Sequence, residues 1–361
     1  MSQKKITYIK LLHQLEKKMK NKRIEGKVAV QQEEFEILLS GIPSILNGYD
    51  LVKLEVGDKI SRDALRSHLK EQFEITDKDS AIKAIKAFLN DNVQWQYEQF
   101  LGFWKDDPEF DLEELDDKAK LFFEGCKTFA KQFYPFVKEQ GFAGFDFGEC
   151  VRMIRECYAV NILDRETAET MLQDIGTRAF RQFDSWEEYA LSYLCGGCYF
   201  MFRSSGMNND YGSMMFQNEL QAIEKLFFEN RTNVWNRYSW LEGKKYFPGI
   251  KEGKTLIDSG LGCFVTDRVS IDQDKICYMV REEPSKDNPD SGWRIFAGDE
   301  TQEYIDDIEH TQVFALNTVC NYDPEIIPFL EEPVGTVIVR NREGRLVKEA
   351  TQDGTSPEQP Q

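Results

Sequence analysis

The hydrophobic period of this chain changes once, near residue 247. Upstream, apolar residues recur three and four positions apart, the repeat of one helix face. Downstream they alternate or run in short unbroken stretches, the repeat of strands. One element cannot satisfy both periods. The change therefore divides the 361 residues into an N-terminal all-helical domain, 1–247, and a C-terminal compact α+β domain, 260–348. Between them, 248–259 has the Gly, Pro and Lys content of a linker, and 349–361 reads as a polar, disordered tail.

Local signals support the split. Ser61, Asp77 or Asp79, and Asp164 stand where N-caps belong, just ahead of helical apolar stripes such as Ile82, Ile85 and Leu89. Ser185 and Glu188 have capping-box spacing before "WEEYALSYLCGGCYFMF", and a last helix is predicted over roughly 213–240. In the second domain "GCFVTDRVS", "KICYMVREE", "SGWRIFAGDE", "QVFALNTVC" and "GTVIVRNRE" read as strands of a mainly antiparallel or mixed sheet. "TQEYIDDIEH" and "PEIIPFLEEP" are its helical candidates. Ile276, Tyr278 and Val280 alternate with Cys277 and Met279, so both faces of that strand are apolar and covering on both sides is expected.

With 63 Asp and Glu against 45 Lys and Arg, the net charge is -18. Such a chain repels nucleic-acid phosphate, stays soluble and attracts basic partners. No run of 18 apolar residues suggests a membrane span, and the basic N-terminus lacks the apolar core of a signal peptide, so a cytoplasmic protein is expected. Eight scattered cysteines suit reduced, buried thiols. "CGGC" at Cys195–Cys198 has the spacing of a redox pair or half a zinc site, but it follows a helix rather than a strand, and no second ligand pair accompanies it. The carboxylates of "KDDPEFDLEELDDKAK" lack the ligand order of a calcium loop and read as a solvated loop before a helix. His13, His68 and His310 lie far apart, and no P-loop, dinucleotide fingerprint or nucleophile elbow is present. No metal, cofactor or catalytic residue is assigned.

The candidate site lies at strand ends of the second domain. Asp267 and Arg268 follow its first strand, Arg281, Glu282 and Glu283 end the second, and Trp293, Arg294, Asp299 and Glu300 belong to the third. Adjacent strands would gather them at one rim. Arg294, Asp299, Glu300, Trp293, Asp267 and Arg281 are the candidate binding residues, since Trp and Arg dominate binding hot spots. Strict alternation sends Trp293, Ile295 and Ala297 to one face and Arg294 and Phe296 to the other, which favours Trp293 as core. Asp299 and Glu300 are also residue types for acid–base work, so a hydrolase-like enzyme stays open as an alternative, as does a scaffolding role.

Two stretches carry family resemblances. "GCFVTDR", "KICYMVREEP", "DSGWRIFAGDE" and "LNTVCNYDPEIIPFLEEPVGT" resemble a bacterial toxin-immunity-like domain, the domain of unknown function twenty-one-eighty-five. "FDFGECVRMIRECYAVNILDRETAETML" with "FDSWEEYALSYLCGGCYFMF" is similar to the bacterial domain of unknown function twelve-sixty-six, on Asp146, Arg152, Ser185, Trp186 and Gly196. The first resemblance implies an immunity-type role: a non-catalytic binding protein whose partner is a basic toxin or effector domain.

Overall fold

The computed structural model describes residues 7–22, 26–105, 116–204, 209–247 and 254–349. Most of the acidic run at 106–114, the greater part of the expected linker and the tail from 350 onward lie outside the described residues. The chain forms two compact units, Met1–Glu242 and Gly243–Gln361.

The first unit is helical, with α1 (Thr7–Asn21), α2 (Gln32–Leu38), α3 (Gly41–Asn47), α4 (Arg62–Phe73), α5 (Lys78–Asp91), α6 (Val93–Lys105), α7 (Asp117–Val137), α8 (Ala143–Ala159), α9 (Arg165–Gln182), α10 (Trp186–Ser204), α11 (Asn209–Phe228) and α12 (Val234–Arg237). Ser61 and Asp164 cap where the sequence places them, and of Asp77 and Asp79 it is Asp77 that caps α5. Ser61 accepts from Ala64 N, Asp77 from Ser80 N and Asp164 from Thr167 N. Ser185 Oγ accepts from Glu188 N at 3.2 Å, while the Glu188 carboxylate reaches back to Asp184 N rather than to Ser185. The helix predicted over 213–240 is broken by a turn between α11 and α12.

Helix α8 is the centre of this unit. Of its 17 residues, 14 are buried, so it is covered nearly all round, by α5, α9 and α10 among others. The α8–α10 approach is close because a Cβ on Gly144 would stand 2.8 Å from the Tyr189 carbonyl.

Burying α8 also buries its charges. Arg152 lies between two glutamates, donating to Glu149 at 2.9 Å and to Glu156 at 2.7 Å. Tyr193 donates to the other oxygen of Glu149, and Tyr49 to the other oxygen of Glu156, at 2.5 and 2.7 Å. Arg155, fully buried, donates to Ser40 Oγ, Ser44 Oγ and the carbonyls of Asp50, Lys53 and Leu54, which ties the 50–55 loop to the core.

The CGGC motif lies inside α10 rather than after a helix, because the helix continues to Ser204. Cys195 and Cys198 are buried, and desolvation pushes both thiols up. Gly197 lies against Glu219 of α11, where a Cβ would collide with the carboxyl group. Glu219 is itself fully buried, and both its oxygens lack a hydrogen-bond partner. Burial raises its pKa well above the usual carboxylate range.

The second unit is a six-stranded mixed sheet: β1 (Gly262–Thr266), α13 (Asp267–Ser270), β2 (Tyr278–Arg281), β3 (Asp290–Phe296), α14 (Gln302–Asp306), β4 (Thr311–Ala315), α15 (Leu316–Tyr322), β5 (Val337–Arg340) and β6 (Leu346–Lys348). The strand order is β4-β1-β3-β2-β5-β6. β1 and β3 run parallel, and the other neighbours are antiparallel. The stretch read as one strand, "QVFALNTVC", turns to helix at Leu316, and "GCFVTDRVS" does so at Asp267. In both, the following apolar residues pack onto the sheet rather than extend it.

Cys263, Val265, Met279, Trp293, Ile295 and Ile338 face a core completed by Val269, Leu316, Val319 and Ile326. Phe247 joins that core against Phe314 and Tyr322, which is why the unit begins earlier than 247. Asn317 accepts from Leu256 N and Ile257 N, at 2.8 and 3.1 Å, so the described end of the linker is bound to α15. The opposite sheet face is less covered than its apolar sequence predicts. Phe264 and Val313 are exposed there, and Tyr278, Val280 and Phe296 are half-buried.

Candidate functional site

Strand direction decides where the six candidate residues go. Parallel β1 and β3 end at the same rim, so Asp267, Arg268, Asp299 and Glu300 meet there. β2 is antiparallel to β3, with Tyr278 opposite Phe296 and Arg281 opposite Trp293. Arg281 and Glu282 therefore lie towards the other end of the sheet, and the single rim expected from the sequence does not form.

Two of the six are structural. Trp293 is fully buried and donates from Nε1 to the Leu330 carbonyl at 3.2 Å, so it presents no surface to a partner. Arg281 donates to the carbonyls of Leu330, Glu332 and Ser291 and lies over the Trp293 ring. It clamps the loop that closes the core.

Arg294 leaves on the opposite face from Trp293, as alternation requires, with its guanidinium 4.4 Å above the Phe264 ring. It donates to both oxygens of Asp290, at 3.0 and 2.9 Å, and to Glu282 at 3.0 Å. Asp290 and Arg294 reach each other within one strand because β3 bulges. Gly262 pairs with Asp290 and Phe264 with Arg294, so two steps along β1 match four along β3. Gly292, at φ +80°, carries the bulge. Hydrogen bonds from Arg294 hold the Asp290 carboxyl below the usual carboxylate range.

At the shared rim, Glu300 ties β1 to β3. Its Oε1 accepts from Thr266 Oγ1 at 2.6 Å and from Ala297 N at 2.8 Å, and its Oε2 accepts from Gly298 N at 2.7 Å. Asp299 is exposed and accepts from Arg268 at 3.0 Å, while Arg268 also holds Asp274 at 2.8 Å. Asp267 differs from both. Its side chain is only 9% exposed. Oδ2 accepts from Lys244 Nζ at 2.6 Å, and Oδ1 has no partner. Lys244 also donates to the Glu309 carbonyl at 2.6 Å, and the Asp267 hydrogen bond raises its pKa.

Residues not singled out from the sequence complete this rim. Ser270 Oγ and His310 Nδ1 are also buried without a hydrogen-bond partner. The His310 ring stacks on Tyr304, centroids 4.1 Å apart and planes 9° from parallel. Burial, and then the fields of Asp267, Asp272 and Glu300, raise the Tyr304 pKa. α14 and the 3-10 turn Ile308–His310 bury none of their residues, and Ile308 is 85% exposed. The segments 267–275 and 297–310 bring nine carboxylates to this rim against Arg268 and Lys275, with Lys244 added from outside them. The acidic run 299–309 was a usable signal in the sequence. Lys244 and the Tyr304–His310 stack had none, because they depend on strand order.

Among the described residues, no group of three His, Cys, Asp or Glu is placed to hold a metal ion. No helix among them is long and apolar enough to cross a membrane. The rim is acidic and partly apolar, with an inward-set carboxylate at Asp267.

Each unit is similar to a different family. Residues 68–240, from α4 to α12, match a protein family of unknown function, DUF1266. Residues 263–350, the whole sheet, match the immunity protein Imm33 domain. These matches support an immunity-like resemblance for the C-terminal part and a helical family of unknown function for the N-terminal part. No curated protein and no solved structure matches the chain.

Proposed function

We propose that this chain is an immunity-type protein that neutralises a toxin or effector by binding it, without chemistry of its own. The match of residues 263–350 to an immunity domain carries this reading. The net charge of -18 supports a basic partner, because complementary charge speeds capture and lowers the fraction of free toxin. In this reading Asp267, Asp299 and the α14 arm face the partner, and Trp293 and Arg281 keep the sheet in shape. Glu300 has both oxygens occupied by the strand ends it joins, which weighs against the hydrolase alternative.

The test is co-expression with a toxin encoded beside this chain's gene. Growth arrest by the toxin alone, growth restored by the chain, and recovery of an intact complex are expected. Toxin that is cleaved or modified, rather than occluded, would overturn the non-catalytic part. Arrest unaffected by the chain would overturn the role.

A further inference from the structure

We propose that the groove between α5 and α9 of the helical unit is a docking site for one amphipathic helix of a partner protein. That helix has an apolar stripe, acidic residues on the flank that meets α5 and basic residues on the flank that meets α9. The groove lies within the residues that match the DUF1266 family, and it does not rest on the immunity reading.

Two bridges set its shape. Lys78, at the start of α5, donates to Asp164, the cap of α9, at 2.7 Å. Arg178, late in α9, donates to Asn90, late in α5, at 3.4 Å. The two helices therefore run in the same direction, with about 18 Å from one bridge to the other at 1.5 Å per residue. Both pack on α8. Neighbours on a common helix ordinarily close up on each other, yet between the bridges these two stand apart and leave a groove of about 570 Å³. Its floor is Ile82, Ile85, Leu89, Met171 and Ile175, of which Ile82, Leu89 and Met171 stay half-buried. The two threonines that line it are spent. The Thr167 hydroxyl bonds Asp164, and the Thr170 hydroxyl donates to the Glu166 carbonyl at 2.9 Å. A small-molecule pocket keeps a few polar groups inside to orient its ligand. This groove keeps its charges on the exposed lips: Lys78 and Lys86 on α5, and Asp164, Glu166 and Asp174 on α9. An apolar floor between charged lips is the complement of an amphipathic helix, whose side chains at i, i+3, i+4 and i+7 fill a groove of this kind. The two lips carry opposite charge, so the two flanks of the occupant must as well. A second copy meeting this one groove to groove would leave both unfilled, because neither surface is convex.

The test uses the full chain and fluorescein-labelled, lactam-stapled helical peptides of about twelve residues, the length of the groove, with leucines along one stripe. Their flanks are glutamate on one side and lysine on the other, lysine on both, or glutamate on both. Fluorescence anisotropy should rank the mixed peptide first. Non-specific attraction to a chain of net charge -18 would instead rank the all-lysine peptide first. Met171→Glu should weaken the mixed peptide about tenfold or more, because it puts a charge on the apolar floor. Lys86→Glu makes both lips acidic, so it should weaken the mixed peptide about fivefold and move the preference to the all-lysine peptide. Lys86 is exposed, so its variant keeps the test should Met171→Glu fail to fold. Lys275→Glu, the same charge change in the sheet unit, should leave the ranking unchanged. An all-lysine preference in the native chain, or affinities indifferent to Met171→Glu and Lys86→Glu, would overturn the site. So would either of two other occupants: dodecanoate bound where no peptide binds and lost in Met171→Glu, or a dimer in sedimentation that Met171→Glu dissolves.

Discussion

Two buried charge clusters use the same residue types and end differently. In the helical unit, Arg152 sits between Glu149 and Glu156, and each glutamate's second oxygen is taken by a tyrosine. That network is closed. In the sheet unit, Asp267 holds Lys244 with one oxygen and nothing with the other. A closed network fixes which helices pack and in what register, because any other arrangement strands a charge. Asp267 leaves one buried acceptor unspent, as Glu219 leaves two in the helical unit.

The comparison can be broken most forcefully at Arg155, the fully buried partner of the 50–55 loop. Arg155→Met leaves four backbone carbonyls and two serine hydroxyls without their donor. We expect a loss of about 3–5 kcal/mol, since each buried acceptor left unsatisfied costs about 1–3 kcal/mol and some will rearrange, read from urea denaturation. A loss below 1 kcal/mol would mean that water takes over those bonds and that the network does not organise the core.

Glu219 is the counterpart inside the helical unit, since it too is buried with unpartnered oxygens. Its folded pKa is raised above the ordinary 4.5. The folded state therefore holds the proton more tightly than the unfolded state. That group's contribution to stability is fully present below pH 4.5 and is lost as pH rises towards the folded pKa. Glu219→Gln removes this dependence. The variant should gain on the native chain by up to about 1.4 kcal/mol per pH unit as pH rises above 4.5 towards the folded pKa. Parallel stability curves would show that Glu219 ionises freely.

In the sheet unit, Gly292→Ala strikes the bulge that brings Asp290 under Arg294. At φ +80° with the Glu282 carbonyl in the way, an added Cβ should cost about 2 kcal/mol, read from urea denaturation. A neutral substitution would mean that the bulge relaxes without loss. Arg165→Ala marks the small end of the scale. Its bridges to Glu55 and Glu169 are exposed, and the denaturation midpoint should not move detectably.

Much of the fold was legible because its signals are local. The caps at Ser61, Asp77 and Asp164, the helical stripes and the alternation separating Trp293 from Arg294 each need only a few neighbouring residues. The misreadings involve partners far away. "QVFALNTVC" has strand-forming residues throughout, yet it turns to helix at Leu316, where Leu316 and Val319 complete a core with Val269 and Ile326. CGGC reads like the end of a helix, yet α10 runs through it because α8 and α11 need to approach there.

The sequence by itself determined the division into a helical and an α+β part, the element types, the acidic surface and the burial of Trp293. Only the tertiary structure decided that Asp267, Asp299 and Glu300 share one rim while Arg281 lies towards the other end, and that Lys244, Tyr304 and His310 join the first group. The reason is geometric. Side-chain alternation repeats every two residues and is written into each strand. Which strand ends meet depends on the order and direction of all six strands, and that follows from how the whole sheet buries its core.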